Sequence, residues 1–165
     1  MQQTNKKIIN KDIDKKKLLR KSLGMFSTGI AVVTTLDENQ NPVGMTVNSF
    51  ASVSLNPALV LWSIEKKQPS FNTFLNANGY AVNVLTKKQN DLCTLFSSPV
   101  DNKFKNVNWH LSENGHPLIN DTLAWFDCIK WNYYDGGDHQ ILVSEVISHN
   151  NTENEPLVYW NSKIS

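Results

Sequence analysis

Gly44-Met-Thr-Val-Asn-Ser-Phe-Ala-Ser-Val-Ser54 is the stretch on which the reading of this chain turns. In the longer run from Val43 to Leu55, apolar Val43, Met45, Val47, Ala51, Val53 and Leu55 point one way. Thr46, Asn48, Ser52 and Ser54 point the other, with Phe50 among them. A period of two marks a strand with one face on a core, because successive side chains leave a pleated backbone on opposite sides. One strand is therefore expected from Val43 to Leu55, with a row of short hydroxyls and amides along its polar face.

Turn residues bound this run on both sides. Ile30 to Leu36 is β-branched and ends at the turn Asp37 to Pro42. Asn56-Pro57 leads into Ala58 to Ile64, whose almost unbroken apolar run predicts a strand buried on both faces. Phe71, Phe74 and Leu75 form the stripe of a short helix that starts at Pro69 or Ser70 and stops at Asn78-Gly79. Tyr80 to Leu85 is a further strand, and Thr86 caps a helix with Leu92, Leu95 and Phe96 inward. Residues 100–120 read as loop. Leu123 to Tyr134 and His139 to Ser148 read as strands joined by the tight turn Asp135-Gly136-Gly137-Asp138, with Trp125 and Trp131 in the core. Pro156 to Trp160 supplies a short closing strand.

Upstream, Asp14 caps a helix with Leu19, Leu23 and Phe26 on one face and a basic run on the other. Residues 1–13 are expected to form a flexible tail ahead of a single domain, 14–165. Six or seven strands in hairpin-like order, with a few short helices, predict a mainly β, antiparallel barrel. Few strands are separated by a helix long enough for a parallel crossover.

The totals narrow the function. A chain of 165 residues with 40% hydrophobic content can bury a core without disulfides or metal. Sixteen Lys and Arg against fifteen Asp and Glu leave a net charge of +1, so no nucleic-acid partner is expected. The first 17 residues hold no apolar stretch of signal-peptide kind, and no segment nears the roughly 20 apolar residues of a membrane span. A cytoplasmic protein follows. Cys93 and Cys128 then read as buried free thiols.

Several chemistries are missing their residues. There is no GxGxxG after a strand, no Walker loop and no GxSxG elbow. His110, His116, His139 and His149 lack metal-ligand spacing, so no metal is expected. What remains is the polar row from Thr46 to Ser54. A flavin ring needs such donors and acceptors along its polar edge and apolar contact on its faces. A half-exposed strand has the same pattern.

In order, Phe26-Ser-Thr-Gly-Ile-Ala-Val-Val-Thr-Thr35, the 44–57 stretch, Ala81-Val-Asn-Val-Leu85, Asp101-Asn-Lys-Phe104 and Gly136-Gly-Asp-His139 resemble the flavin reductase family of FMN-binding split β-barrels. That family includes the small reductase components of two-component monooxygenases. The resemblance runs from about Leu19 to about Trp160. It implies an NAD(P)H:flavin oxidoreductase, with NADH or NADPH as hydride donor and FMN or FAD as acceptor. It also implies a homodimer that hands reduced flavin to a partner monooxygenase. A flavin-binding or flavin-sensing protein on the same barrel is the alternative.

The resemblance also assigns roles. Thr46, Val47, Asn48 and Ser49 would lie along the isoalloxazine, and Ser52 and Ser54 near the ring edge and ribityl chain. Ser63, Lys67 and Ser70 would gather the phosphate, with Lys66 competing for the role of Lys67. Asn83 meets the flavin or ties two strands together, because a buried amide must be hydrogen-bonded. Phe104 covers the flavin or anchors its loop. His139, after the Gly-Gly-Asp turn, would align the nicotinamide as the catalytic residue. It need not be an acid or base, since hydride passes directly between the two rings.

Overall fold

The structure, a computed structural model, describes residues 14–165; the expected tail 1–13 lies outside them. Residues 14–23 are helical, α1. The rest runs β1 (Thr28–Gly29), β2 (Ala31–Leu36), β3 (Pro42–Val47), β4 (Ala51–Leu55), β5 (Ala58–Glu65), α2 (Phe71–Asn76) and β6 (Gly79–Val84). A 3-10 turn at Lys87–Gln89 leads into α3 (Asn90–Ser97). Then come β7 (Trp109–Leu111), β8 (Pro117–Ile119), β9 (Ala124–Gly136), β10 (His139–Asn151), β11 (Val158–Trp160) and β12 (Lys163–Ile164). The fold is mainly β and antiparallel, with few and short helices.

The principal sheet has seven strands in the order β3-β2-β6-β9-β10-β5-β4. The single strand expected from Val43 to Leu55 is in fact two, β3 and β4, at opposite edges of this sheet. Only Asn48, Ser49 and Phe50 join them. So short a link spans at most about 14 Å, so the sheet curls until its two edges face each other. The alternation in sequence survives the crossing because each half is pleated; only the neighbours change.

Two apolar clusters lie on the two faces of β2 and β6. Val33, Val82, Trp62, Ile64, Phe74, Tyr80 and Leu142 fill the curled interior. Val32, Leu85, Phe96, Phe104, Ile119 and Leu157 pack on the other side, under α3 and the β7–β8 hairpin. Adjacent Val32 and Val33 are both fully buried, which makes β2 a two-sided core strand. β5, expected to be of that kind, alternates instead: Val60, Trp62 and Ile64 are buried, while Leu59 and Leu61 on the other face are half-buried.

Three further expectations change. Residues 109–119 form the β7–β8 hairpin rather than loop. Trp131, expected in the core, is 52% exposed. It sits where the β9–β10 register shifts, with Lys130 opposite Ser144 and Asn132 opposite Val143, and the extra residue turns outward. The helix expected to carry Leu19, Leu23 and Phe26 on one face ends at residue 23, so Phe26 lies beyond it, and all three side chains are exposed. Cys93 and Cys128 are buried and free, as expected.

Candidate functional site

A cleft of about 580 Å³ opens along the outer edge of β3. Its floor is Gly44, Met45 and Thr46; one wall is the Gln68–Ser70 turn, the other the loop after α3 with Lys103 and Phe104. It therefore gathers Thr46, Ser70 and Phe104 from three distant parts of the chain. Gly44 keeps the floor flat. A Cβ there would lie 2.7 Å and 2.9 Å from Phe96 ring carbons and 3.2 Å from Phe104. These two rings meet edge to face with centroids 5.0 Å apart, forming the base of that wall. Two further clefts, by Asp37 and α2 and by α1, share no residue with the sequence-predicted set.

The link between β3 and β4 is pinned by its own side chain. Ser49 Oγ donates to the Ser63 carbonyl at 3.2 Å and accepts the Ser63 N–H at 3.1 Å. The β4–β5 register pairs Ala51 with Leu61, so the Ser49 hydroxyl extends that ladder by one rung. Across β5, Ser63 lies opposite Ile141 and Glu65 opposite His139 on β10. Paired residues share a sheet face, so Ser63, Ile141 and His139 lie on the face opposite Trp62, Ile64 and Leu142.

His139 begins the strand after the turn as expected, but the turn is shorter, since β9 runs on to Gly136 and only Gly137-Asp138 connect the strands. Its Nδ1 lies 2.7 Å from Asp138 Oδ1, and this contact holds the Asp138 carboxyl below its ordinary range. The Lys66 N–H donates to the Asp138 carbonyl at 3.0 Å, fastening the end of β5 to the hairpin. Lys66 Nζ pairs with the Asp135 carboxylate and donates to the Gly137 carbonyl at 2.8 Å. Lys66 is thus a hairpin brace, and its ammonium lowers the Asp135 pKa. Lys67 is exposed and does not line the cleft.

The polar row read from Thr46 to Ser54 is not one row. Thr46 Oγ1 donates to the Cys93 carbonyl at 2.8 Å, which ties β3 to α3. Val47 is buried in the interior cluster, and Asn48 is exposed on the link. Ser52 is exposed on β4, and Ser54 Oγ accepts the Asn56 N–H at 3.2 Å. Ser52 and Ser54 are thus carried to the opposite edge strand from Thr46, because the chain crosses at 48–50. Asn83 is fully buried and its amide is fully engaged. Its Nδ2 donates to the Val32 carbonyl and Thr34 Oγ1, and its Oδ1 accepts the Ile119 N–H at 2.8 Å. It ties β6 to β2 and β8, as the strand-tie alternative has it. Ser70 Oγ makes no cap bond to α2 and lies 3.9 Å from Met45 Sδ, within the cleft.

Two residues were missed from the sequence. Lys103 lines the cleft and donates to the Phe96 carbonyl at 3.0 Å; its place just before Phe104 was the available signal. Gly44 is the second: only glycine fits beneath Phe96, a close approach that period-two alternation does not reveal. The donor set suits a flavin nucleotide: an aromatic base, the open edge of a strand, hydroxyls and one ammonium.

Comparison with known proteins agrees. The flavin reductase like domain matches residues 23–165. The reductase component of a flavin-dependent trigonelline monooxygenase from Acinetobacter baylyi is 43% identical over 134 residues, covering 81% of this chain and 43% of that protein. The chain thus spans under half the length of that relative. An FMN reductase (NADH) of Agrobacterium fabrum is 41% identical over 140 residues, covering 85% of this chain and 79% of that one. The solved structure of a Streptomyces globisporus NADH:FAD oxidoreductase, in complex with NAD and FAD fragments, superposes with a TM-score of 0.87 at 34% identity, covering 92% of both chains. With most of its length matched in sequence and in fold, the chain belongs to the flavin reductase like domain family.

Proposed function

We propose that this chain is a flavin reductase that draws hydride from NADH, reduces FMN or FAD, and passes the reduced flavin to a separate monooxygenase. The observation that carries the reading is the gathering of Thr46, Ser70 and Phe104 around one cleft, beside the Ser49–Ser63 link. His139 lies on β10 opposite Glu65 of β5, on the sheet face that also carries Ser63. The names of the Acinetobacter, Agrobacterium and Streptomyces relatives support NADH as donor and a monooxygenase as recipient.

The flavin, when bound, supplies the ring that accepts hydride. The protein holds and aligns. The open edge of β3 and the link Asn48–Ser49 offer backbone groups to the ring edge, and Phe104 closes one side. Ser70 meets the phosphate end. With Nδ1 held by Asp138, His139 presents its other nitrogen to the nicotinamide, orienting it without exchanging a proton. A reductase that exports its product must release flavin quickly, so modest affinity is part of the reading. The test is NADH and NADPH oxidation with FMN, FAD and riboflavin. No stimulation by any flavin would overturn the proposal.

A homodimer belongs to the same reading. Phe26 is 76% and Leu55 95% exposed, and both are large apolar side chains that a second copy would cover. Sedimentation equilibrium tests this; a monomer at micromolar concentration would refute it. Among the described residues no helix is long and apolar enough to cross a membrane. Cytoplasmic action is proposed with it, supported by the two buried free thiols.

A further inference from the structure

We propose that Lys66 is a positioning residue for hydride transfer, one that holds the β9–β10 turn, and with it His139, against the end of β5 without touching flavin or nucleotide. This rests on the reductase reading and on His139 as the residue that aligns the nicotinamide.

Lys66 directly follows β5 and reaches the turn by three contacts. Its backbone N–H donates to the Asp138 carbonyl at 3.0 Å. Its Nζ pairs with the Asp135 carboxylate, near the end of β9, and donates to the Gly137 carbonyl at 2.8 Å. One residue thus grips the chain just before the turn and at both residues of the turn itself. Little else fixes this tip. The connection is only Gly137-Asp138, and a Cβ at Gly137 would meet nothing within 4 Å. The Asp135 and Asp138 side chains are 74% and 83% exposed. Packing does little for a turn so bare, and its place is set by polar contacts.

His139 inherits that place. It is the first residue of β10, and its Nδ1 lies 2.7 Å from Oδ1 of Asp138, whose own carbonyl Lys66 holds. A turn that slips therefore moves the backbone of His139 and the carboxylate that orients its ring together. The magnitudes favour a role in rate over one in stability. An exposed ion pair adds little to the folded state, whereas a misplacement of about 1 Å in an aligning group can cost about 100-fold in rate. Lys66 does not line the β3 cleft, which sets it apart from the flavin's own contacts.

The experiment uses the full chain. Stopped-flow reduction of bound FMN gives the hydride-transfer rate constant and the NADH dissociation constant separately; fluorescence titration gives FMN affinity, and thermal unfolding gives Tm. Lys66→Met keeps the stem and removes the ammonium. It should slow hydride transfer about 5- to 20-fold and leave the NADH and FMN dissociation constants within about threefold. Tm should stay within about 2 °C. Lys66→Arg, which can still reach the carboxylate and the carbonyl, should restore most of the rate. Asp135→Asn should reproduce part of the loss, and combining it with Lys66→Met should add nothing, since both act through one contact. On a His139→Ala background, Lys66→Met should have no further effect. A further loss on that background, an unchanged rate in Lys66→Met, or FMN weakened more than about tenfold would each overturn the assignment. So would a fall in Tm that accounts for the slower rate and that Lys66→Arg does not repair. If the unaltered chain reduces no flavin, the reductase reading itself falls, which is a different result.

Discussion

Ser49 Oγ bonds both backbone groups of Ser63, donating to the carbonyl and accepting the N–H, and so anchors to β5 the three-residue link that joins the two edge strands of a seven-stranded sheet. Ser49→Ala would leave both Ser63 groups without these partners in a half-buried place. A stability loss of about 1–2 kcal/mol is expected. Urea unfolding should show a lower midpoint with an unchanged slope; an unaltered midpoint would make the bond ornamental.

His139 stands apart from the cleft, on the hairpin braced by Lys66. His139→Ala should therefore slow flavin reduction by NADH by up to about 100-fold and leave FMN affinity within about twofold. Stopped-flow reduction and fluorescence titration separate the two. Equal damage to both would place His139 in flavin binding.

At Ser70, an aspartate would set a carboxylate where the phosphate is proposed to lie. Ser70→Asp should weaken FMN much more than riboflavin, by at least about tenfold, because like charges repel strongly in a partly desolvated cleft. Matching losses for both ligands would mean that the phosphate lies elsewhere.

Gly44 allows no added carbon without moving Phe96. Gly44→Ala should cost about 1–3 kcal/mol by overpacking and distort the cleft floor. Thermal unfolding and FMN titration should both report it. A variant as stable as the parent would show that the ring yields freely.

Asp127 gives the pH prediction. It is fully buried, and burial alone raises its pKa, but hydrogen bonds from His116, Asn114 and Ser112 outweigh that and bring it below 3.8. A depressed folded pKa gives stability that is present above the unfolded value and lost as pH falls through the folded one. Urea midpoints should hold from neutral pH down to about pH 5 and then decline. Asp127→Asn should be less stable at neutral pH and show a shallower acid decline; an identical slope would exclude Asp127 as its source.

How far the sequence could be read depended on what each signal measured. Turn chemistry was local and legible: the hairpin turn falls within Asp135 to Asp138, and Thr86 does cap, although it caps the 3-10 turn Lys87–Gln89 that precedes α3 rather than α3 itself. Period-two alternation fixed that Val43 to Leu55 is extended, but it is blind to which neighbour a strand acquires, so the crossing at 48–50 was invisible. The bulge at Trp131 was lost for the same reason, since one extra residue leaves composition untouched. Asn83 could not be assigned because its partners, Val32, Thr34 and Ile119, are remote in the chain. Thr46, Ser70 and Phe104 could be named but not joined, and Lys103 emerged only from the cleft they share.

The short link carries one more consequence. A ligand seated against Asn48 and Ser49 bridges the place where the curled sheet would first part, so binding and holding shape draw on the same contacts. Saturating flavin at 100 times its dissociation constant would then raise stability by about 2.7 kcal/mol. Amide exchange along β3 and β4 should slow most of all, while the β7–β8 hairpin, with no share in the seam, should slow least.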